Sequence, residues 1–571
     1  MKKFFAFLLG VLMLCSAFVM NSCEENDGDD TAETTKPSVS TIIDDVKKTT
    51  NDSSDVIDPE ETTNDSSDVV DPEETTNGGD VVDPEETTNG GDVVDPEETT
   101  NGSSDVVNPD IGGKNVLDGV RYNGETIYVY GWIPSNIAEQ VQEFSSELGV
   151  VEQNVYKRLD ETQKQLNIKV YWKEERGNGS HPEFIQNAVN ANTTGAYDAI
   201  CAYSQWAAAL TTQGVSKNLL QFNTLDFTHP AWPKDMVDQL TIFDKLYFCT
   251  GDISTNLILM TSVVFVNMDM VSTWKINEKI QQQYGEANIY DLVREGKWTY
   301  DAMFKLAEGV WQDTDNTKNR SNGDTYGLGT YSSLLCNFYA GAGWKLLESD
   351  ENGIYLSEDY TDVDSIEKLL KDVVKSLYDD GFCRYYSSFE NARDSFANGL
   401  NLFSLAPTSH AYVKHYHTDN LKYAALPVPK YDAAQDGYHS YHSNPYTNYV
   451  VASGSANPQI AASFLQGLAQ RSYDTTRIAI FEHTMKARFA QGDSDIAEMW
   501  EIIVDSQTFD LGRVFQNSFK RGGAGIILIN QFNERIDGGK TDWENIMNSY
   551  QQDLIDMANA LNALIATLPG D

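Results

Sequence analysis

Five of the eight histidines, His410, His415, His417, His439 and His442, lie within 33 residues, interleaved with Tyr416, Tyr438, Tyr441, Tyr446 and Tyr449. Imidazoles at short spacing can ligate a borderline-soft cation. No cysteine and no HExxH pattern joins them, so a surface or structural role, and hydrogen bonding to a ligand in a cleft, compete with the metal reading. A second cluster, Asp313, Asp315 and Asp324, sits in a run with oxygen side chains at alternate positions, as in a calcium loop. Lys318 occupies the sixth position, where such a loop requires Gly, and Asp324 replaces Glu at the twelfth. A plain acidic turn is the competing reading there. GxSxG, HExxH and P-loop patterns do not occur, which removes the recognisable signatures of nucleophilic, zinc-hydrolytic and nucleotide chemistry.

The elements that must position these groups follow from apolar periodicity. Ile127–Tyr130, Ile168–Trp172 and Ala199–Ala202 read as strands, with helices expected over Ile137–Gln165, broken at Gly149, and over Pro182–Ala191. Strands alternating with helices predict parallel βαβ units, whose ligands collect at the carboxyl ends of the strands. Those ends carry Trp132 in GWIPS and Trp206 in YSQW. Between Lys245 and Met270 two further strands are expected, Leu246–Cys249 and Ser262–Asn267, where the chain passes from one α/β lobe to another. Beyond it, Thr299 is an expected N-cap for a helix bearing Met303, Leu306, Ala307 and Val310. Ile366 to Leu377 repeats the helical period before a stop at Gly381.

Composition restricts the function class. The net charge is −45, and residues 24–110 hold 28 Asp and Glu against three Lys. Phosphate binding needs basic patches, so nucleic acid is not an expected partner. Lys2 and Lys3 precede the apolar run Phe4–Met20, too short to span a bilayer and shaped like an export signal. Cys23, after Ser22 and before Glu24-Glu25, resembles the acylated lipobox cysteine of bacterial lipoproteins. Met20 and Asn21 depart from that pattern, and simple secretion is the alternative. Residues 23–114 contain a tandem DVVDPEETTN repeat of 12 to 13 residues. Each unit has too few apolar groups to offset chain entropy, so a disordered acidic stalk is expected, about 50 Å in root-mean-square span. Of the other cysteines, Cys201 and Cys249 fall in apolar runs and read as buried thiols; spacing assigns no disulfide among these and Cys336 and Cys383.

In order, YVYGW, YDAICAYSQWAAALTTQGVSKNLLQF, SVVFVNMDMV, GKWTYDAMFKLAEGVW, FENARDSFANGLNLFSLAP, LKYAALPVPKYDAAQDGY, NPQIAASFLQGLAQ and KARFAQGDSDIAEMWEIIVDSQTFDLGRVF resemble the carbohydrate-binding solute-binding proteins of bacterial ABC importers. The resemblance implies an α/β, two-lobed periplasmic-binding-protein-like fold with a hinge and an interlobe cleft, preceded by the disordered acidic repeat linker. The implied division is a signal peptide over 1–22, the linker over 23–114 and a solute-binding domain over 115–571. Lobe 1 would hold about 116–248 and 400–450, lobe 2 about 262–398 and 451–571. The implied function is a lipid-anchored monomer on the extracellular face of the membrane that passes an oligosaccharide to permease subunits, with no enzymatic activity and no required cofactor, calcium aside. Sugars call for aromatic platforms and planar polar side chains. The candidate ligand residues are therefore Trp132, Ser204, Gln205, Trp206, Asn337, Trp344, His410, Tyr412 and Tyr446. The segment Ala406–Tyr412 departs from the family's tryptophan-bearing pattern, so a maltodextrin is not implied. A glycan-binding adhesin, a glycan-active enzyme, and an importer component for peptides or other polar solutes are the rival readings.

Overall fold

The computed structural model describes residues 115–134, 137–177, 181, 183–412, 416, 421–481, 494–515 and 527–568. The signal sequence, Cys23, the repeat linker, His415 and His417 lie outside the described residues. Ten strands form the two main sheets: β1 (Thr126–Trp132), β2 (Lys169–Glu175), β3 (Ala199–Tyr203), β4 (Ser262–Asn267), β5 (Trp311–Gln312), β6 (Thr325–Tyr331), β7 (Cys383–Tyr386), β8 (Asn401–Pro407), β9 (Tyr423–Leu426) and β10 (Thr447–Val451).

The first sheet has the order β10-β3-β1-β2, with β1 parallel to both β2 and β3 and β10 antiparallel to β3. Its crossovers are the helices Val150–Leu166 and Glu183–Asn192, as the βαβ reading expects. The first helix turns Val151, Val155, Leu159 and Leu166 inward, and helix Pro458–Arg471 packs on it. Gly467 allows that approach, because a Cβ there would meet Thr162 Cγ2 at 2.6 Å. Arg471 closes the contact by donating to Gln165 Oε1 at 2.6 Å.

The second sheet has the order β9-β4-β8-β6-β5, with β7 also paired to β6. β4 and β8 are buried along their whole length. Side chains covered on both faces explain why SVVFVN is a continuous apolar run rather than an alternating one. Thr299 caps helix Tyr300–Ala307 as expected, its side chain accepting from the Ala302 amide at 3.2 Å. At the far end of the chain, helix Trp543–Thr567 is tied to strand Gly353–Leu356 by Asn562, which accepts from Ile354 N at 2.7 Å and donates to Ile354 O at 2.8 Å. Among the described residues no helix is long and apolar enough to cross a membrane.

Three expectations are corrected. Residues 137–149 are not helical. Their polar groups are taken up by distant segments: Asn256 Nδ2 donates to Ile137 O at 2.8 Å, and the Arg158 guanidinium donates to Glu139 O. Leu246–Cys249 is not a strand but a single bridge from Cys249 to Tyr449 of β10. Leu246 instead gives its amide to Asn218 Oδ1 at 3.0 Å. Residues 400–450 do not return together to the first sheet, since β8 and β9 both pair with β4 and only β10 joins β3. Conversely, helix Pro458–Arg471 lies against the first sheet's helix. Long-range pairing overrides chain order in each case.

Candidate functional site

β3 runs parallel to β1 and ends at Tyr203, so its carboxyl end delivers Ser204 and Gln205 to the place where such sheets gather ligands. There they meet two other stretches, Tyr441–Tyr446 and Thr508–Val514. Together these line a cavity through Ser204, Gln205, Tyr441, His442, Tyr446 and Arg513, among others. A second cavity continues from it past Tyr441 and Arg513 to Cys336, Tyr339 and Trp344. The three stretches are held by short-range bonds. Ser204 N donates to Tyr446 O at 2.8 Å, and Asn448 Nδ2 to Ser204 O at 2.9 Å. Strand Ser440–Tyr441 pairs in parallel with Gln507–Thr508.

The polar groups facing the cavity are unusually underused. Tyr441 Oη and His442 Nε2 are buried and have no hydrogen-bond partner among the described residues. The Arg513 guanidinium lies 3.6 Å from the centroid of the Tyr441 ring, a cation–π contact. Burial holds Arg513 down to about 10 and His442 down to about 3, so the imidazole is neutral. Asp510 is buried and pushed up to about 6 by burial, while its oxygens accept from Leu346 N at 3.1 Å and Gly512 N at 2.8 Å. Such a set offers donors and a neutral imidazole to a polar solute, with aromatic walls from Tyr441, Tyr446 and Phe509.

A larger open groove, about 670 Å³, is lined by Phe227, Trp232, Asp235, Asp252, Tyr473 and Arg477. Several of its polar groups already have partners. Trp232 Nε1 donates to Gln466 Oε1 at 3.2 Å, Arg477 pairs with Asp252 at 3.3 Å, and Asp235 pairs with Lys345 at 3.2 Å. Size favours this groove; unmet hydrogen-bonding capacity favours the cavity.

Of the candidate residues, Ser204, Gln205 and Tyr446 line the first cavity and Trp344 the second. Trp132 is the last residue of β1 rather than part of a loop past it, is 2% exposed, and donates its indole N–H to Thr447 Oγ1 at 2.8 Å. Trp206 is half-buried beside Tyr203, its indole nitrogen without a partner among the described residues. Asn337 is buried and donates to Leu334 O at 2.9 Å. His410 is buried, its Nδ1 3.2 Å from Tyr416 Oη and its ring against Phe389. Tyr412 is half-buried. Neither His410 nor Tyr412 lines either cavity. His439 reaches Thr508 Oγ1 at 2.9 Å, so of the described histidines in the cluster only His442 lines the first cavity. Arg513 and Asp510 were not singled out from sequence, and Tyr441 figured only within the histidine–tyrosine cluster. The signal available was the acid and arginine three apart in FDLGRVF, which has no partner visible along the chain.

Asp313, Asp315 and Asp324 do come together, with one oxygen of each within 4.8 Å of the others, and are the described residues that could hold a cation. They also serve a self-contained turn. Asp324 accepts from Thr314 N at 3.1 Å and Ser321 N at 3.0 Å, Asp313 from Lys318 N at 3.1 Å, and Asp315 from Thr317 N at 3.0 Å. The four described cysteines, Cys201, Cys249, Cys336 and Cys383, are buried free thiols.

The family model described as bacterial extracellular solute-binding protein matches residues 157–480, more than half of the chain. The chain belongs to that family. This solute-binding protein is therefore a binder rather than an enzyme. Among solved structures, it is similar to an ABC substrate-binding protein from Listeria monocytogenes in complex with cycloalternan, at 12% identity and a TM-score of 0.46, covering 76% of this chain and 100% of that one. A cyclic α-maltosyl-1,6-maltose binding protein from Arthrobacter globiformis shares 12% identity, with a TM-score of 0.47 over 77% of this chain and 99% of that one. The galacto-N-biose/lacto-N-biose I-binding protein of a Bifidobacterium longum ABC transporter shares 11%, with a TM-score of 0.45 over 75% and 98%. No curated protein matches the chain.

Proposed function

We propose that this solute-binding protein captures an oligosaccharide in the cavity at the end of β3 and delivers it to the permease of an ABC importer from a lipid anchor at Cys23. The observation that carries the reading is the convergence of Ser204–Gln205, Tyr441–Tyr446 and Thr508–Val514 on one space, with Tyr441 Oη and His442 Nε2 unpartnered among the described residues and the Arg513 guanidinium held on the Tyr441 ring. Hydroxyl-rich ligands satisfy such groups while their C–H faces pack on Tyr441, Tyr446 and Phe509. Solute-binding relatives whose structures hold cycloalternan or lacto-N-biose favour a sugar over a peptide.

The space left in the first cavity is about 20 Å³, enough for about one water molecule. A sugar therefore enters only if the Thr508–Val514 stretch parts from Ser204–Gln205 and Tyr441–Tyr446. In the two-lobe reading, one lobe is built on the β10-β3-β1-β2 sheet and the other on the β4-centred sheet. Ligand contacts to both stretches then exist only in the closed form, and binding shifts the population towards it. The closed form is what a permease would recognise.

The test is thermal unfolding of the full chain with maltotetraose, lacto-N-biose, cycloalternan, monosaccharides, a peptide mixture and divalent metals. Ligand that binds only the native state raises the melting temperature. One oligosaccharide class should do so. A shift with peptide alone, every sugar being silent, would remove the carbohydrate reading and leave the solute-binding one.

A further inference from the structure

Several other enclosed cations of the described residues are matched by carboxylates, and the buried Lys430 donates to Gln435 O at 3.0 Å. Arg158 faces Glu139 at 3.9 Å, Arg477 faces Asp252 at 3.3 Å, Lys345 faces Asp235 at 3.2 Å, and Arg294 is held by Asp291, Asp495 and Glu498. Arg513 is different. Its side chain is half-buried, lines both cavities, and has neither an ion pair nor a side-chain hydrogen bond among the described residues. The one carboxylate lining these cavities, Asp510, spends its oxygens on the amides of Leu346 and Gly512. The imidazole lining the first cavity, His442, contacts Thr261, Phe509 and Tyr446 and brings no negative charge.

A guanidinium in an enclosed site is costly unless its charge and its donors are both matched. Tyr441 supports one face of the guanidinium at 3.6 Å and so restricts the planar fork to contacts made along its edges. Two parallel N–H donors on such an edge fit a planar carboxylate or two oxygens of a sulfate ester, whereas single hydroxyls would leave the charge uncompensated. We infer that the solute is an acidic sugar, whose carboxylate or sulfate is taken by the edge of Arg513 while Tyr441 Oη and His442 Nε2 bond neighbouring hydroxyls. The inference rests on the reading of this cavity as the solute site. The acidity of the chain does not oppose it, because exposed charges are screened over about 8 Å at physiological salt.

The experiment is isothermal titration of the full chain with matched pairs. Trigalacturonate is set against its carboxyl-reduced counterpart, and a sulfated chondroitin disaccharide against its desulfated form, with maltotetraose and lacto-N-biose as neutral probes. The expected result is that an anionic member binds at least about tenfold more tightly than its neutralised partner, and that Arg513→Gln abolishes this preference. Arg513→Lys, which keeps the charge but not the fork, should recover only part of it. The two pairs separate carboxylate from sulfate. Equal affinity within both pairs, binding of neutral probes alone, or an anion preference that survives Arg513→Gln would each overturn the inference while leaving the sugar-binding reading in place. Silence of every sugar, neutral and acidic, would remove that reading and the inference together. If Arg513→Gln does not fold, the matched pairs on the native chain still decide.

Discussion

The carboxylate of Glu139 lies 3.9 Å from the guanidinium of Arg158, both side chains almost wholly buried at 2% and 1% exposure. The pair joins four distant parts of the chain. Arg158 donates to Ile253 O at 2.8 Å and Ser472 Oγ at 2.7 Å, while Glu139 accepts from Ser254 Oγ at 2.8 Å, Thr447 Oγ1 at 2.9 Å and Tyr449 Oη at 3.1 Å. Trp132 enters the same network through Thr447. The network lies behind β1 and β10 and fixes the sheet whose β3 end opens on the cavity.

Removing one partner strands the other charge. Arg158→Met should therefore lower stability by about 3–5 kcal/mol. Urea unfolding of the single and double variants at Glu139 and Arg158 checks it. A double variant, Glu139→Gln with Arg158→Met, should cost less than the sum of the two singles, because no isolated charge remains.

Tyr441→Phe should weaken sugar binding by about 1 kcal/mol, the net value of one hydrogen bond, with little change in folding, because its hydroxyl has no partner among the described residues. Tyr441→Ala should cost more, since the platform beneath Arg513 goes as well. Titration calorimetry on both variants against the best sugar separates the hydroxyl from the ring.

His442 gives a pH signature. Burial holds its folded-state pKa down to about 3, while the unfolded chain takes up a proton near 6.5. The unfolded state thus binds more protons between these values, and stability is lost as pH falls through that window. Asp252 and Asp510, pushed up to about 6 by burial, act with the opposite sign: the folded state holds their protons, and their contribution fades as pH rises through 3.8 to 6. Comparing native protein with His442→Gln isolates the histidine. Between pH 6.5 and 4.5 the native protein should lose on the order of 2 kcal/mol more than the variant. Denaturant melts at the two pH values measure this.

Burial raises the thiol pKa of all four described cysteines. Thiolate is the reactive form, so Cys201, Cys249, Cys336 and Cys383 should resist alkylation by iodoacetamide in native protein and react fully in urea. Peptide mass spectrometry reads each site.

The lipid anchor is tested by Cys23→Ser. The variant should move from the membrane fraction to the medium or periplasm, while its sugar affinity stays unchanged. Metabolic labelling with a palmitate analogue reports the acyl chain itself.

Local chemistry made the strands and caps legible. SVVFVN is apolar on both faces because β4 is covered on both, and its bounds agree with the run read from sequence. Thr299 caps its helix through a bond three residues away, and Ala199–Tyr203 extends its predicted strand by one residue. Such signals need only a few neighbouring residues. Residues 137–149 carry a helical pattern, but only the fold brings Asn256 and Arg158 to take their carbonyls. Likewise β8 and β9 look no different from strands of the first sheet, and only their pairing with β4 assigns them. The site was the least legible part. Arg513 lies 71 residues beyond His442 and its neighbour Tyr441, and nothing local to either stretch marks the other. Trp132 and Trp206 were conspicuous as residue types, yet burial and hydrogen bonding are set by what packs over them, and Thr447 claims the Trp132 indole. The sequence by itself determined strands such as Ala199–Ala202 and Ser262–Asn267, the Thr299 cap, the α/β class and the acidic leader's composition, because these depend on short-range periodicity and charge. Tertiary structure decided which polar groups are left unmet, because that depends on contacts between segments far apart in the chain.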